Sequence, residues 1–201
     1  MNYENCGKRV FDFTAATVGF AIISPFLVLV AILIKLDSKG PLFFFQQRMG
    51  KDGKIFRLIK FRSMYVDPKK EKQGFTPGDS SRITRIGRII RKTKIDELPE
   101  LINVIKGDMS LVGPRPEVPR YRRFYKGKYR EVLKLRPGIT DLASVKYRNE
   151  EEILEKSDDP EKTYTEVILP DKLELALEYK KKISFSTDLK IIFSTILRLF
   201  T

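Results

Sequence analysis

From Val10 to Leu36 the chain is overwhelmingly apolar, and Phe13 to Ile34 carries no charge. Those twenty-two residues, at ~1.5 Å each, reach ~33 Å, enough to cross a bilayer core of ~30 Å. The run is too long for a signal-peptide core and no small-residue cleavage site follows it, so it reads as a membrane segment. Ser24-Pro25 falls near its centre, where Pro25 removes the hydrogen bond to the Ala21 carbonyl and predicts a bend, leaving arms of roughly 18–22 Å. Lys8 and Arg9 flank one end, Lys35 and Lys39 the other, and positive flanks favour the cytoplasmic side. Two topologies fit: a re-entrant helical hairpin with both ends cytoplasmic, or a kinked transmembrane helix.

Beyond the turn-forming linker Asp37-Ser-Lys-Gly40-Pro41 the pattern changes period. Leu42–Gln47 and Ile55–Ser63 read as two strands of a hairpin, with Lys60 and Arg62 on one face of the second. Such a face either holds cations rigidly or serves as a solvated edge that discourages aggregation. Asp67–Ser81 is a polar loop. Ile83, Ile86, Ile89 and Ile90 then mark a short amphipathic helix with Arg82, Arg85, Arg88 and Lys92 off its apolar face, suited to a membrane interface or to an ordinary core contact. Pro99 opens another helix, continued by Leu101, Ile102 and Ile105 and stopped by Gly107. Arg120–Arg123 and Tyr125–Leu135 form a cationic, aromatic-interleaved helix candidate, read as a headgroup-level contact in preference to nucleic acid because an apolar segment lies upstream. Arg136-Pro137-Gly138-Ile-Thr140 is a turn whose backbone can approach a ligand. Asn149–Asp171 is acidic and reads as a solvent-facing excursion. Leu173–Lys182 and Ser184–Leu199 read as helices, the last closing the core or lying on the membrane.

Composition narrows the chemistry. A formal net charge of +13 on 201 residues calls for an anionic partner: nucleic acid, a membrane surface or a polyphosphate. The single cysteine, Cys6, makes no internal disulfide. The chain contains no histidine, which excludes Ser-His-Asp and Cys-His arrangements and His-ligated zinc. Catalysis would then fall to carboxylates, Lys, Arg or an oxygen-bound cation, for which Mg²⁺ is the natural choice. Asp96 and Glu97, beside Arg91, Lys92, Lys94 and Arg115, offer a divalent-metal and phosphate site; the alternative is that Asp96 merely caps a helix.

Seven stretches, in order, carry a resemblance: Ser24-Pro25, Gln47-Arg48-Met-Gly50, Lys60-Phe-Arg62-Ser-Met64, Arg85-Ile-Gly87 to Arg91, Asp96-Glu97-Leu-Pro99, Gly107-Asp-Met-Ser-Leu-Val-Gly113-Pro-Arg115-Pro116 and Arg136-Pro-Gly138-Ile-Thr140. The chain resembles the bacterial sugar transferase family, the monotopic polyprenyl-phosphate phosphoglycosyl transferases, from about residue 5 to 199. The resemblance implies a mostly helical α/β membrane enzyme, with residues 1–40 a re-entrant helix and 41–201 a catalytic domain on the cytoplasmic face of the bacterial inner membrane. It would move a phospho-sugar from a UDP-sugar to undecaprenyl phosphate, releasing UMP, as the first membrane step of glycoconjugate assembly. Asp96 would be the nucleophile and a Mg²⁺ contact, Glu97 would assist with the metal or a proton, and Lys60 and Arg62 would neutralise the diphosphate. Arg91, Arg115, Arg136 and Arg148 would hold substrate, and Ser24-Pro25 would make the re-entrant break. Membrane lipids are partners, nucleic acid is not, and dimerisation is left open. The family's larger members carry additional N-terminal transmembrane helices, so a minimal catalytic form is expected here. One departure stands out: Asp141 occupies a place where the family ordinarily has glycine. The rival from another class is a basic, membrane-anchored binding protein without catalysis.

Overall fold

The structure, a computed structural model, describes residues 3–66, 82–147 and 149–200. The stretch expected as a polar loop, 67–81, and the candidate Arg148 lie outside the described residues. The apolar run forms one helix, α1 (Lys8–Asp37), which is continuous through Pro25. Ser24 Oγ donates to the Ala21 carbonyl at 2.8 Å, so the acceptor that Pro25 deprives of its N–H is satisfied. Asp12, Ala16, Leu27, Val30 and Ile34 are buried, with Phe20 and Ile23 packed between, and this spacing of three and four keeps one stripe against the body. The opposite stripe is equally apolar and open, with Ile22 73% and Leu36 79% exposed. Both ends grip the same body. Arg9 donates to the carbonyls of Val104 and Ile105 at 2.6 and 2.9 Å, and Asp37 accepts from the Ile86 N–H at 3.1 Å.

The expected hairpin is present as β1 (Phe43–Met49) and β2 (Ile55–Phe61), antiparallel with Phe44 opposite Lys60. β1 runs on to Met49 because that side chain is buried and its N–H donates to the Glu117 carbonyl at 2.8 Å. The expected basic helix is α2 (Arg85–Lys92), capped by Thr84, with Ile90 packed against Phe61 and Leu27. Lys94, at φ 57°, reverses the chain into a 3₁₀ segment, Ile95–Glu100, before α3 (Leu101–Lys106) begins. Pro99 therefore sits in a 3₁₀ turn, and the α-helix starts two residues beyond it.

Three expectations are corrected. The Tyr125–Leu135 helix is replaced by 3₁₀ segments Pro119–Phe124 and Gly127–Lys134, separated where Gly127 takes φ 54°. A parallel pair, β3 (Ser110–Val112) with β4 (Gly138–Thr140), joins a stretch read as a turn to one for which no element was expected. Their contact needs glycine, since a Cβ on Gly113 would stand 2.3 Å from the Arg136 carbonyl oxygen. Finally, the acidic excursion is part of the core. After α4 (Leu142–Lys146), the helices α5 (Glu150–Glu155) and α6 (Pro160–Thr163) lead through a π turn, Tyr164–Ile168, into α7 (Leu169–Lys181). Leu154, Tyr164, Ile168 and Leu169 are buried together with Tyr121 and Val132, so the acidic residues cover an apolar seam that their number conceals in the sequence.

The last helix, α8 (Phe185–Phe200), does two things. Ile191 closes a core cluster with Val112 and Tyr179, while Phe193 and Leu197 leave an apolar outer face. Asp188, fully buried, accepts from Tyr3 and Tyr179 at 2.7 Å each and from Lys8 at 2.5 Å.

Candidate active site

The site is assembled on β2. One edge of that strand pairs with β1; on the backbone of Arg57 and Ile59 the side-chain amide of Asn103 stands in for a third strand. Its Nδ2 donates to the Arg57 carbonyl at 2.8 Å and its Oδ1 accepts from the Ile59 N–H at 3.0 Å, which locks α3 and the 95–100 segment against β2. Lys60, the next residue on the strand, is thereby aimed at two carboxylates. Its Nζ lies 2.7 Å from Glu97 Oε1 and 3.3 Å from Glu100 Oε1. From the other side Arg115 grips Glu97, with Nη2 2.5 Å from Oε1 and Nη1 3.4 Å from Oε2.

Asp96 differs from its neighbour. It is 8% exposed, and its Oδ1 is buried without a hydrogen-bond partner. The 3₁₀ segment has no side-chain cap, so Asp96 is not explained as a capping residue. Glu100, 2% exposed, likewise has an Oε1 that makes no hydrogen bond and only the ion-pair approach of Lys60. Leaving such oxygens unsatisfied costs about 1–3 kcal/mol each, so they are places to look for a ligand.

The electrostatics sort the three acids. Burial pushes Asp96 up to about 6; Lys60 pulls it down, Glu97 pushes it up, and Lys94 and Arg91 pull it down further. Burial also opposes ionisation of Glu97, yet Arg115 and Lys60 outweigh it and hold this carboxyl well below the usual range. Burial takes Glu100 up to about 7, against Lys60 and with the help of the Glu97 charge. The Glu97 carboxylate in turn holds the Arg115 guanidinium well above its ordinary value. One acid is thus a permanent anion clamped between cations, and two are poised near neutrality.

Of the residues expected at the site, the structure brings Lys60, Asp96, Glu97 and Arg115 together, with Arg91 in electrostatic reach of Asp96. Arg136 contributes its backbone, which lies against Gly113 two residues before Arg115; its side chain has no ion pair among the described residues. Arg62 requires a correction. It is 4% exposed and donates to the Ser38 and Lys39 carbonyls at 2.7 and 2.8 Å, closing the end of α1, with its Nε alone left without a partner, so both terminal nitrogens face the 38–39 backbone and not the carboxylate cluster. Ser24 and Pro25 shape α1 and lie outside the cluster.

Three participants were missed. Glu100 follows Asp96 by one helical turn, a spacing the sequence displays but that Pro99 obscured. Asn103 sits amid apolar residues, and a polar side chain there was the available signal. Asp141, noted only as a departure, accepts from the Arg115 N–H at 3.0 Å and from the Ser144 N–H at 2.6 Å. It therefore ties the Arg115 turn to the start of α4.

A divalent cation can be tested against these donors. Glu97 Oε1 is shared by Lys60 and Arg115 while Asp96 Oδ1 is open, and among the described residues no group of three Asp, Glu, Cys or His side chains is placed to hold a metal. Mg²⁺ usually takes only one or two carboxylates, completing its shell with water and substrate phosphates. The open carboxylate beside a clamped one fits that partial donor set.

Comparison with known proteins gives a consistent result. The family described as "Bacterial sugar transferase" matches residues 3–201. The chain is similar to the UDP-N-acetylgalactosamine-undecaprenyl-phosphate N-acetylgalactosaminephosphotransferase of Aeromonas hydrophila, 45% identical over 69% of this chain and 33% of that protein. It is similar to the undecaprenyl-phosphate glucose phosphotransferase of Komagataeibacter xylinus, 40% identical over 95% of this chain and 35% of the relative. It also resembles the UDP-glucose:undecaprenyl-phosphate glucose-1-phosphate transferase of Caulobacter vibrioides, 36% identical over 96% of this chain and 70% of that one. The chain spans about a third of the length of the first two.

Proposed function

The chain belongs to the bacterial sugar transferase family; from that premise we propose that it transfers a phospho-sugar from a UDP-sugar to undecaprenyl phosphate, releasing UMP, through an adduct on Asp96. The observation that carries this reading is the buried Asp96 Oδ1, without a partner and flanked by a carboxylate that two cations hold in place.

In the first step Asp96 Oδ1 attacks the β-phosphorus of the nucleotide-sugar. The bond from that phosphorus to the oxygen bridging it to the α-phosphate breaks, and UMP departs with the electron pair. In the second, a phosphate oxygen of the polyprenyl acceptor attacks the same phosphorus and the Asp96 carboxylate leaves. Phosphoryl transfer asks mainly for alignment and neutralisation, and a carboxylate needs no histidine to activate it. Lys60 and Arg115 provide the neutralisation. Glu97, ionised throughout, keeps both cations aimed at the reacting centre before the substrate arrives. Asp141 holds the backbone from which Arg115 projects. Mg²⁺ would be held by Asp96 and Glu97 with diphosphate oxygens, and when bound it would offset the charge that builds on the departing UMP.

The same proposal places the enzyme in the inner membrane with its catalytic body on the cytoplasmic face. α1 is long and apolar enough to cross a bilayer, but Arg9 and Asp37, at its two ends, hold one body, which favours both ends lying on one side of the bilayer. Cys6, exposed just before α1, supplies a probe. A membrane-impermeant maleimide should label it in inside-out vesicles and not in spheroplasts; labelling from the outer face would defeat the topology.

For the chemistry, incubation with a UDP-sugar labelled at the β-phosphate, followed by rapid acid quench and peptide mapping, should place the label on Asp96. The donors to try include UDP-glucose and UDP-N-acetylgalactosamine. Label on another residue would reassign the nucleophile.

A further inference from the structure

A cavity of about 550 Å³ lies away from Asp96. It opens at the tip of the β1–β2 hairpin, where the turn Lys51–Gly53 meets the 3₁₀ segments Pro119–Phe124 and Gly127–Lys134. Arg122, Lys126, Arg130 and Lys134 line it against a single acid, Asp52, with Tyr125 among its walls. Lys134 is paired, 2.6 Å from Glu131 Oε1. Among the described residues, Arg122, Lys126 and Arg130 have no acidic partner. Four cations against one acid leave the cleft strongly positive, and such a cleft concentrates anions.

The kind of counter-ion follows from the donors. Two guanidinium forks and the ammonium groups of Lys126 and Lys134 match phosphate oxygens in geometry, while Tyr125 and Leu133 supply the apolar part of the wall. The cleft is also distinct from the catalytic centre. A crevice bordered by Tyr125, Gly50, Arg115 and Pro137 lies between them, but it holds only about 20 Å³. That is room for about one water and not for a substrate.

We propose that this cleft is a second phosphate-binding site, which takes a compact phosphorylated anion, either a soluble diphosphate or the headgroup of an anionic lipid. The test is titration of the full chain, in micelles of an uncharged detergent, with inorganic pyrophosphate. R122Q/R130Q is compared with K106Q/K156Q, which removes the same charge from exposed positions elsewhere. The expected result is at least a tenfold loss of one class of pyrophosphate binding in R122Q/R130Q and no loss in the control. Repeating the titration with phosphatidylglycerol or phosphatidylcholine in the micelles separates the sources. Displacement by phosphatidylglycerol alone assigns the site to a lipid headgroup, and no displacement assigns it to a soluble phosphate; either supports the proposal. Unchanged pyrophosphate binding in R122Q/R130Q, equal losses in both double variants, or a loss confined to binding of duplex DNA would overturn it. The readout is binding, so it stands apart from any result on Asp96.

Discussion

Two groups of buried acids can be set side by side. Asp12 and Asp188 are 0% exposed, and every carboxylate oxygen is used: Asp12 accepts from Ser110 Oγ and the Leu111 N–H, Asp188 from Tyr179, Tyr3 and Lys8. Asp96 and Glu100 are nearly as buried, yet each keeps an oxygen without a hydrogen bond. Burial alone thus says nothing about role. The first group joins the ends of the chain to β3 and is complete; the second leaves Asp96 Oδ1 without a partner and Glu100 Oε1 with only the 3.3 Å approach of Lys60.

That contrast can be broken most severely at Asp96. Asp96→Asn should lower the rate of UMP release by roughly 10⁴-fold or more, since an amide is a poor nucleophile, while the melting temperature holds or rises. Retained turnover, or a collapse in stability, would erase the distinction. The next effect in size is the mirror image. Asp188→Ala strands Lys8, Tyr3 and Tyr179 and should cost about 3–5 kcal/mol in denaturant unfolding, with activity per folded molecule little changed.

The smallest effect sharpens the comparison through pH. Glu100 titrates near 7 in the folded protein against an unfolded value of 4.5, so between those values the native state binds more protons and stability falls as pH rises. Glu100→Gln should remove that slope, giving a gain on the order of 1–3 kcal/mol at pH 8 and almost none at pH 4. Thermal unfolding at the two pH values checks it; an equal shift at both would mean that Glu100 does not titrate there. Activity has the opposite sign. Asp96 must be ionised to attack, so the rate should climb through about pH 6.

How much of this was legible beforehand varies with the physics involved. α1, the hairpin and α2 are written in long periodic patterns, and their residues obey them. Asp96, Glu97 and Arg115 were also recoverable, because charges gathered near one proline and one glycine turn are conspicuous, whereas Lys60 joined them only through the family resemblance. What escaped were features set by a few tertiary contacts. β3 and β4 have three residues each and depend on two glycines letting backbones touch. Arg62 falls on the period of Lys60, but the free carbonyls at the end of α1 claimed it, and nothing in a strand pattern announces that. The buried Tyr164 and Ile168 were hidden by surrounding acids, a reminder that local composition is a poor guide to burial when one face of a helix carries all the charge.

Arg62 leaves one consequence. Just past the strand that aims Lys60 at the carboxylates, Arg62 is tied to Ser38 and Lys39, the residues that follow the apolar helix. A substitution at Arg62 would therefore loosen two things at once, the seat of the long apolar helix and the end of the strand from which Lys60 projects.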